Sequence, residues 1–319
     1  MRSISTGSSG RVKLDRSLLD WLLEGDPSIR YQVHADLLEE DRPDLQKQIS
    51  REGWGAAFLE LRRPDGHWGI SFYQPKWTST HYTLLDLRNL RMDPETPQPR
   101  ETIRKILKEN RSADGGINPA RTIAQSDVCV NGMFLNYACY FGTPEDQLAP
   151  TMDFILNQQM PDGGFNCRLN RSGAVHSSLH STLCMVEGFT EYTRNGYRYR
   201  LEELEEARCS SVEFILQHRL FLSDRTGEII HRDFLKLAYP GRWRYDILRA
   251  LDYFRFAGTP YDSRMDPALE QLFRKRRRDG TWSISKHAGQ THFEMEPGGK
   301  PSRWNTLRAL RVLRHYLVD

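Results

Sequence analysis

The sequence predicts an all-α protein, an (α/α)6 barrel in which six inner helices are ringed by six outer helices. Two observations lead to this prediction. A short pattern, an aromatic or bulky residue that leads into an apolar helical stretch, recurs six times. Amphipathic stretches and Asp-Gly turns lie between the copies. Self-similarity at a period of about 50 residues is the signature of a repeat architecture, in which each unit buries the apolar face of the next.

The six apolar stretches are predicted to be the buried inner helices. Each is apolar nearly all round, which is typical of a helix without a solvent-exposed face. The copies lie 51, 48, 50, 65 and 59 residues apart. Their aligned residues are Tyr31, Tyr82, Val130, His180, Tyr245 and Trp304. In a ring of parallel helices, these positions all lie at one mouth of a central cavity.

The outer helices are predicted from stretches in which apolar residues recur at helical spacing with charges between them. Examples are SLLDWLLEG, ETIRKILKEN, TMDFILNQQM, SSVEFILQHRL and ALEQLFRKRRR. Asp-Gly turns follow several of them, at Asp65, Asp114, Asp162 and Asp279. Glycine takes the left-handed conformation that ends a helix and reverses the chain, so these turns predict the connections between outer and inner helices.

Composition excludes some classes of function. The chain has 319 residues and a net charge of +3, which is too small to favour binding to nucleic acid. No apolar run approaches the roughly 20 residues of a membrane span. We expect residues 1–12 to be a disordered lead and residues 13–319 to form one toroid domain. The five cysteines are an odd set that favours a reducing, cytoplasmic location, with thiols that are free or metal-bound.

The Asp-Gly-aromatic turns, in register with the helices, resemble the QW-type repeats of the squalene and terpene cyclase and protein prenyltransferase superfamily. The resemblance covers essentially the whole chain after Arg11. It implies a toroid with a central pocket and a small hydrophobic or diphosphate-bearing substrate. Whether a partner subunit is needed does not follow from it, and a toroid alone does not define a reaction.

Three residues are candidate ligands of Zn²⁺. Asp127 and Cys129 open the third inner helix and His180 opens the fourth, so a ring would bring them to one mouth. A carboxylate, a thiolate and an imidazole suit a zinc ion that keeps one open position. The layout also resembles the zinc site of prenyltransferase β subunits, which implies the same ligands. Alternatively, Asp127 caps its helix, Cys129 is a small buried residue and His180 is a core histidine.

Other candidates would bind substrate or transfer protons. Arg121 matches a diphosphate-binding arginine of the prenyltransferases, although Ala124, Val130 and Ser79 depart from that pattern. The further candidates for substrate binding at the mouth are Tyr31, Tyr82, Arg244, Tyr245, Arg303 and Trp304. The candidates for acid–base catalysis are His176, Asp246 and His81. Alternatively, the aromatic residues fill the core, the arginines pair with loop acids, and Asp246 is a cap or an ion-pair partner.

The sequence therefore predicts a prenyltransferase- or terpene-cyclase-like protein, in the leading hypothesis a zinc-dependent enzyme with a hydrophobic or anionic substrate. The chain lacks both the Asp-x-Asp-Asp acid motif and the Asp-Asp-x-x-Asp magnesium motif of terpene cyclases. The alternatives are a cyclase-like protein without the usual acid and a non-catalytic toroid that holds a lipid or peptide. Two long polar loops before the last inner helices add His231, Asp233, His292 and Glu294 as candidates.

Overall fold

The computed structural model describes residues 15–120, 123–286 and 289–317, and these residues are mostly helical. In chain order the α-helices are α1 (Arg16–Leu23), α2 (Pro27–Val33), α3 (Pro43–Gln48), α4 (Gly53–Glu60), α5 (Thr80–Asn89), α6 (Pro97–Asn110), α7 (Val128–Tyr140), α8 (Glu145–Leu156), α9 (Leu169–Ser172), α10 (Leu179–Arg194), α11 (Leu201–Gln217), α12 (Ile247–Phe256), α13 (Asp266–Arg274) and α14 (Arg303–Tyr316). A π-helical turn, His34–Leu38, extends α2. Two short strands, β1 (Trp282–Ser283) and β2 (Pro301–Ser302), pair antiparallel.

The Asp-Gly turns fasten each outer helix to the inner helix that follows. Their glycines, Gly66, Gly115, Gly163 and Gly280, have φ angles between 83° and 90°. Shortly after each turn, a backbone N–H donates to a polar side chain on the next inner helix. These pairs are Trp68 to Thr80 (3.0 Å), Ile117 to Asn131 (2.6 Å), Phe165 to Thr182 (3.0 Å) and Trp282 to Thr306 (3.0 Å). The repeated hydrogen bond fixes the register of each unit.

Helices α7 and α10 pack against each other through two glycines. A Cβ at Gly188 would lie 2.6 Å from the carbonyl oxygen of Gly132, a distance that no real Cβ tolerates. A Cβ at Gly132 would in turn lie 2.7 Å from the carbonyl oxygen of Cys184. Glycine is therefore required at both positions, because the two backbones are in direct contact.

The other inner helices contact one another through side chains. Between α2 and α5, Gln32 Nε2 donates to the carbonyl oxygen of Asn89 (3.2 Å). Between α5 and α7, His81 Nδ1 and the Tyr137 hydroxyl form a hydrogen bond of 3.1 Å. These contacts place α2, α5, α7 and α10 side by side in sequence order.

Three further contacts close the cycle. Thr190 on α10 donates to the Tyr253 hydroxyl on α12 (3.3 Å), and Asp252 on α12 accepts from Arg311 on α14 (2.6 Å). Arg311 also donates to Gln32 Oε1 on α2 (3.0 Å). Each of the six helices thus contacts the next and the last contacts the first, as a toroid requires.

The mostly helical architecture predicted from the repeats is confirmed. Helices α1, α4, α6, α8, α11 and α13 alternate with the six inner helices along the chain. The complete barrel with six inner and six outer helices stays a prediction. The lead predicted at residues 1–12 lies outside the described residues. None of the described helices has the length and apolar composition needed to cross a membrane.

Candidate active site

The inner helices surround a cavity of about 290 Å³. All six contribute side chains to its wall, among them Gln32, Arg88, Tyr140, Glu187, Arg249 and Trp304. We call it the arginine chamber, because its lining includes Arg88, Arg91, Arg194, Arg242, Arg249, Arg255, Arg308 and Arg311. Four carboxylates also line it: Glu187, Glu191, Asp246 and Asp252. Cationic groups therefore outnumber acidic groups two to one in this wall.

Several of these arginines are paired with carboxylates on other inner helices. Arg249 contacts Glu187 with two nitrogens, at 2.8 and 2.6 Å, and Arg88 pairs with Glu191. Such two-pronged contacts orient a guanidinium firmly. Arg194 instead lies over the ring of Phe256, 4.3 Å from its centroid. Among the described residues, Arg194 has no carboxylate within ion-pair distance.

A second cavity of about 340 Å³ lies against the first. We call it the aromatic chamber, because its lining includes Trp54, Phe58, Trp77, Phe293, Tyr239 and Trp304. Residues of the loop before α14, among them His292 and Glu294, form another side of it. Tyr239, Arg242 and Trp304 line both chambers, so they form a shared wall.

Asp246 is a buried acid in the wall of the arginine chamber. It caps α12, and its Oδ1 accepts from the backbone N–H of Arg249 at 2.9 Å. Its Oδ2 has no hydrogen-bond partner among the described residues. Burial raises the pKa of this carboxyl group to about 6, against the opposing effect of Arg308 and Arg249. Asp246 can therefore exchange a proton near neutral pH, as a general acid must.

Asp86 is a second buried acid, in the wall of the aromatic chamber. Burial raises its pKa to about 7, although the nearby charge of Arg242 favours the ionised form. His292 lines the same chamber and forms a 2.9 Å hydrogen bond with Thr83 Oγ1. Burial lowers the pKa of His292, so its neutral form is favoured. A carboxyl group with a raised pKa and an imidazole with a lowered pKa thus lie in one cavity wall.

The predicted zinc ligands on α7 have other partners. Asp127 accepts a 2.5 Å ion-pair hydrogen bond from Arg171 and makes no capping bond with its side chain. Cys129 is joined to Cys167 as a disulfide, with the Cα atoms 5.7 Å apart. The expectation of a free or metal-bound thiol is therefore wrong for these two cysteines. A disulfide sulfur cannot serve as the thiolate that zinc requires.

The third predicted ligand, His180, is held among core side chains. Its Nδ1 accepts from the backbone N–H of Tyr245 at 2.8 Å, and its ring packs edge-on against Phe234 and Trp243. The described residues contain no group of three His, Cys, Asp or Glu side chains that could hold a metal. As placed, the three residues do not fit a zinc ion, and zinc binding stays a prediction.

The predicted acid–base histidines do not line either chamber. His81 is fully buried, its ring packs against Phe72 and Tyr73, and burial lowers its pKa to about 3. His176 is exposed and precedes the start of α10 at Leu179. It therefore does not share a helical face with His180.

The predicted substrate-binding residues are distributed unevenly. Of those that the structure describes, Trp304 alone lines the chambers. Tyr82 lies next to the shared wall, 5.8 Å beneath Arg242. Arg303 instead lies over Trp21 and donates to its carbonyl oxygen. Tyr245 bonds to the carbonyl oxygen of Leu220, away from both chambers.

Two of the remaining substrate-binding candidates also lie outside the chamber walls. Arg244 packs over the rings of Trp77 and Trp243. Tyr31 is half-buried on α2. Arg121 lies outside the described residues.

The sequence prediction missed the arginines of the central chamber. Their signal is present in the repeats, since LRAL occurs in both α12 and α14 and places Arg249 and Arg308 at matching positions. Both side chains are less than 10% exposed. A cation inside an otherwise apolar helix indicates a polar lumen, because a buried guanidinium needs polar partners.

No family model and no curated protein matches this chain. Solved structures with a similar fold include a protein from Actinoplanes, 16% identical over 94% of this chain and 97% of that chain, with a TM-score of 0.48. A glycosyl hydrolase family 88 protein from Bacteroides vulgatus is 11% identical over 93% and 98%, with a TM-score of 0.46. A type II terpene cyclase, MstE from Scytonema in complex with merosterolic acid A, is 13% identical over 91% and 86%, with a TM-score of 0.42. At these TM-scores the similarity assigns neither a family nor a reaction.

Proposed function

We propose that this protein is a toroid enzyme that binds an amphiphilic anion along its central axis and protonates it. The anionic end occupies the arginine chamber and the apolar part occupies the aromatic chamber. The closed cycle of inner helix contacts supports a central lumen. We infer that α1, α4, α6, α8, α11 and α13 complete its outer ring.

The excess of arginine over carboxylate in the central wall is the observation that carries the proposal. Taking several guanidinium groups out of water is costly unless negative charge compensates them. Asp36, behind this wall, pairs with Arg91, Arg255 and Arg311, and even with it the eight arginines exceed the acidic side chains by three. A phosphate, diphosphate or carboxylate group would supply the missing charge, and arginine binds such groups with two parallel hydrogen bonds.

The aromatic chamber supports an apolar part of the ligand. Trp54, Phe58 and Phe293 present ring surface, and their faces suit hydrocarbon or a cationic centre. A ligand that spans both chambers would pass the shared wall of Tyr239, Arg242 and Trp304. An isoprenoid diphosphate has this distribution of charge and apolar surface.

Asp246 is the proposed general acid. Its Oδ2, which has no partner among the described residues, lies in the wall of the arginine chamber. A carboxyl group with a pKa of about 6 is partly protonated near neutral pH. Proton donation by a positioned carboxyl group accelerates a reaction by roughly two to four orders of magnitude.

Calorimetry with three probes tests the proposed ligand class. We expect farnesyl diphosphate to bind more tightly than either pyrophosphate or farnesol, and its affinity to fall as salt is added. Arg194→Gln should weaken binding by about tenfold, because the described residues leave this chamber arginine without a carboxylate partner. Arg274→Gln, in an exposed pair with Glu270, is the matched control. Equal affinities for farnesol and its diphosphate would contradict the anionic half of the proposal.

Product analysis by mass spectrometry tests the reaction. We expect Asp246→Asn to bind the diphosphate ester as the wild type does. It should form no product, because the amide of asparagine cannot act as a general acid. If the wild type binds the ester and leaves it unchanged, the non-catalytic binding toroid is the better description.

A further inference from the structure

We propose that Tyr239, Arg242 and Trp304, the shared wall of the two chambers, form a binding site for one anionic group, a phosphate or a carboxylate. This inference rests on the proposed function, since the anionic group would belong to the same ligand. It adds the place where that group sits, on the side of the arginine chamber that borders the aromatic chamber.

Arg242 is a buried cation that the described residues leave without a carboxylate within 4.0 Å. Its side chain is only 6% exposed, and its guanidinium lies 4.8 Å from the ring centroid of Trp77 and 5.8 Å from that of Tyr82. One of its nitrogens donates to the carbonyl oxygen of Gln290, while Nε has no partner among the described residues. Buried charges in proteins are paired almost without exception, so a bound anion is the expected partner.

Asp86, whose carboxyl group interacts electrostatically with Arg242, does not supply a full counter-charge. Asp86 and Arg242 both line the aromatic chamber and their charges interact, but the two groups are not within ion-pair distance. Because burial raises the pKa of Asp86 to about 7, a large share of this carboxyl group is neutral near pH 7. His292 faces the same wall and is also favoured in its neutral form. The positive charge of Arg242 therefore remains available to a ligand.

The other two members of the wall add hydrogen-bond donors. Trp304 Nε1–H is buried and has no partner among the described residues. The ring of Trp304 packs against that of Tyr239, with the ring centroids 4.7 Å apart. The Tyr239 hydroxyl lies near Asp86 and Asn89 without normal hydrogen-bond geometry. A buried donor left unpaired is costly, and an anion's oxygens would accept from all three groups.

The backbone of Arg242 is held in a strained conformation. Its φ angle is +55°, in the left-handed region that non-glycine residues rarely adopt. Gly289 covers the guanidinium so closely that a Cβ there would lie 2.8 Å from Nη1. A strained backbone conformation of this kind persists only where the surrounding structure holds the residue in place, which is typical of ligand sites.

Binding of inorganic phosphate and pyrophosphate to the full chain tests the site, with calorimetry and the fluorescence of the nearby tryptophans as readouts. We expect Arg242→Gln to weaken pyrophosphate binding by about tenfold and Arg242→Lys to restore part of it, because lysine keeps the charge but not the fork of donors. Trp304→Phe should weaken binding by less, since it removes one neutral donor. Arg274→Gln should bind as the wild type does. Circular dichroism establishes that each variant folds.

The outcomes separate this inference from the proposed function. If Arg242→Gln binds pyrophosphate as tightly as the wild type while Arg194→Gln does not, the junction site is wrong and the anion-binding chamber stands. If the wild type binds farnesyl diphosphate but neither phosphate nor pyrophosphate, the junction site is wrong and the proposed function stands; if it binds none of the three, both are wrong. Should Arg242→Gln fail to fold, the Arg242→Lys and Trp304→Phe variants decide: unchanged affinity in both overturns the inference.

Discussion

Asp252 on α12 accepts a 2.6 Å hydrogen bond from Nε of Arg311 on α14, and this pair joins the last two inner helices beside the arginine chamber. Arg308 and Arg255 also contact the same carboxylate, at 3.3 and 3.4 Å. Burial alone would raise the pKa of Asp252, but the three arginines outweigh burial and lower it. Arg311 also reaches Asp36 beyond α2, so one network links the two ends of the helix cycle.

Removing the charge of Asp252 should destabilise the fold strongly. We expect Asp252→Asn to lower the free energy of unfolding by about 3–5 kcal/mol, because it leaves buried arginines without their counter-charge. The measurement is urea denaturation. Glu270→Gln, in an exposed pair with Arg274, should cost less than about 1 kcal/mol. Similar losses in the two variants would contradict a buried network.

Asp86 should make stability depend on pH. Its pKa is about 7 in the folded chain, against 3.8 for an aspartate exposed to water, so ionising it opposes folding. This contribution is fully favourable below pH 3.8 and is lost as pH rises towards 7. Relative to Asp86→Asn, the wild type should lose at most about 4 kcal/mol across that window, at about 1.4 kcal/mol per pKa unit.

Unfolding curves of both proteins at pH 4, 5, 6 and 7 measure this difference. A stability difference between wild type and Asp86→Asn that stays constant with pH would contradict a raised pKa.

The hydrogen bonds that fasten the Asp-Gly turns should each contribute to stability. Thr306→Val preserves the shape of the side chain but leaves the backbone N–H of Trp282 without its buried acceptor. We expect a loss of about 1–3 kcal/mol in the free energy of unfolding. Thr226→Val, at an exposed turn, is the matched control and should change stability by less than about 0.5 kcal/mol.

The disulfide between Cys129 and Cys167 can be tested by counting the cysteines that react with an alkylating reagent. Alkylation of the denatured, unreduced protein should modify Cys139, Cys184 and Cys209 and leave the other two cysteines unmodified. Reduction before alkylation should raise the number of modified cysteines to five. Modification of all five without reduction would show that Cys129 is available as a thiolate.

Metal analysis tests the predicted zinc site separately. Since Cys129 is paired and Asp127 is bound to Arg171, we expect well below one zinc per chain in protein purified without reductant. About one zinc per chain, lost in both Cys129→Ser and His180→Ala, would reverse this expectation.

Much of the fold could be predicted because each repeat carries its own local signals. The Asp-Gly turns require a left-handed glycine, and the apolar stretches require burial, so the order of helices follows from the sequence. Helix α4 was not predicted as a separate element, because GWGAAFLE is short and carries two glycines that weaken a helical pattern.

The site was harder to predict because the position of a residue in the repeat does not determine the direction in which its side chain points. Aligned residues such as Tyr31, His180 and Tyr245 lie in or just before inner helices, but the orientation of each side chain around the helix axis decides whether it faces the lumen. Their hydrogen bonds and packing turn them elsewhere, while Asp246 and Trp304 face the chambers. Cys167 lies in a loop outside the repeated pattern, so its bond to Cys129 had no signal at the level of the repeats.

The hydrogen bond between Arg311 and Gln32 spans 279 residues of sequence, and it distinguishes this chain from an open stack of helical pairs. An open stack can melt from either end, one unit after another. A cycle offers no terminal unit at which melting could start, so loss of α14 uncovers α12 and α2 together. We therefore expect heat to unfold the helices in a single cooperative step, with hydrogen exchange equally slow in the first and last inner helices.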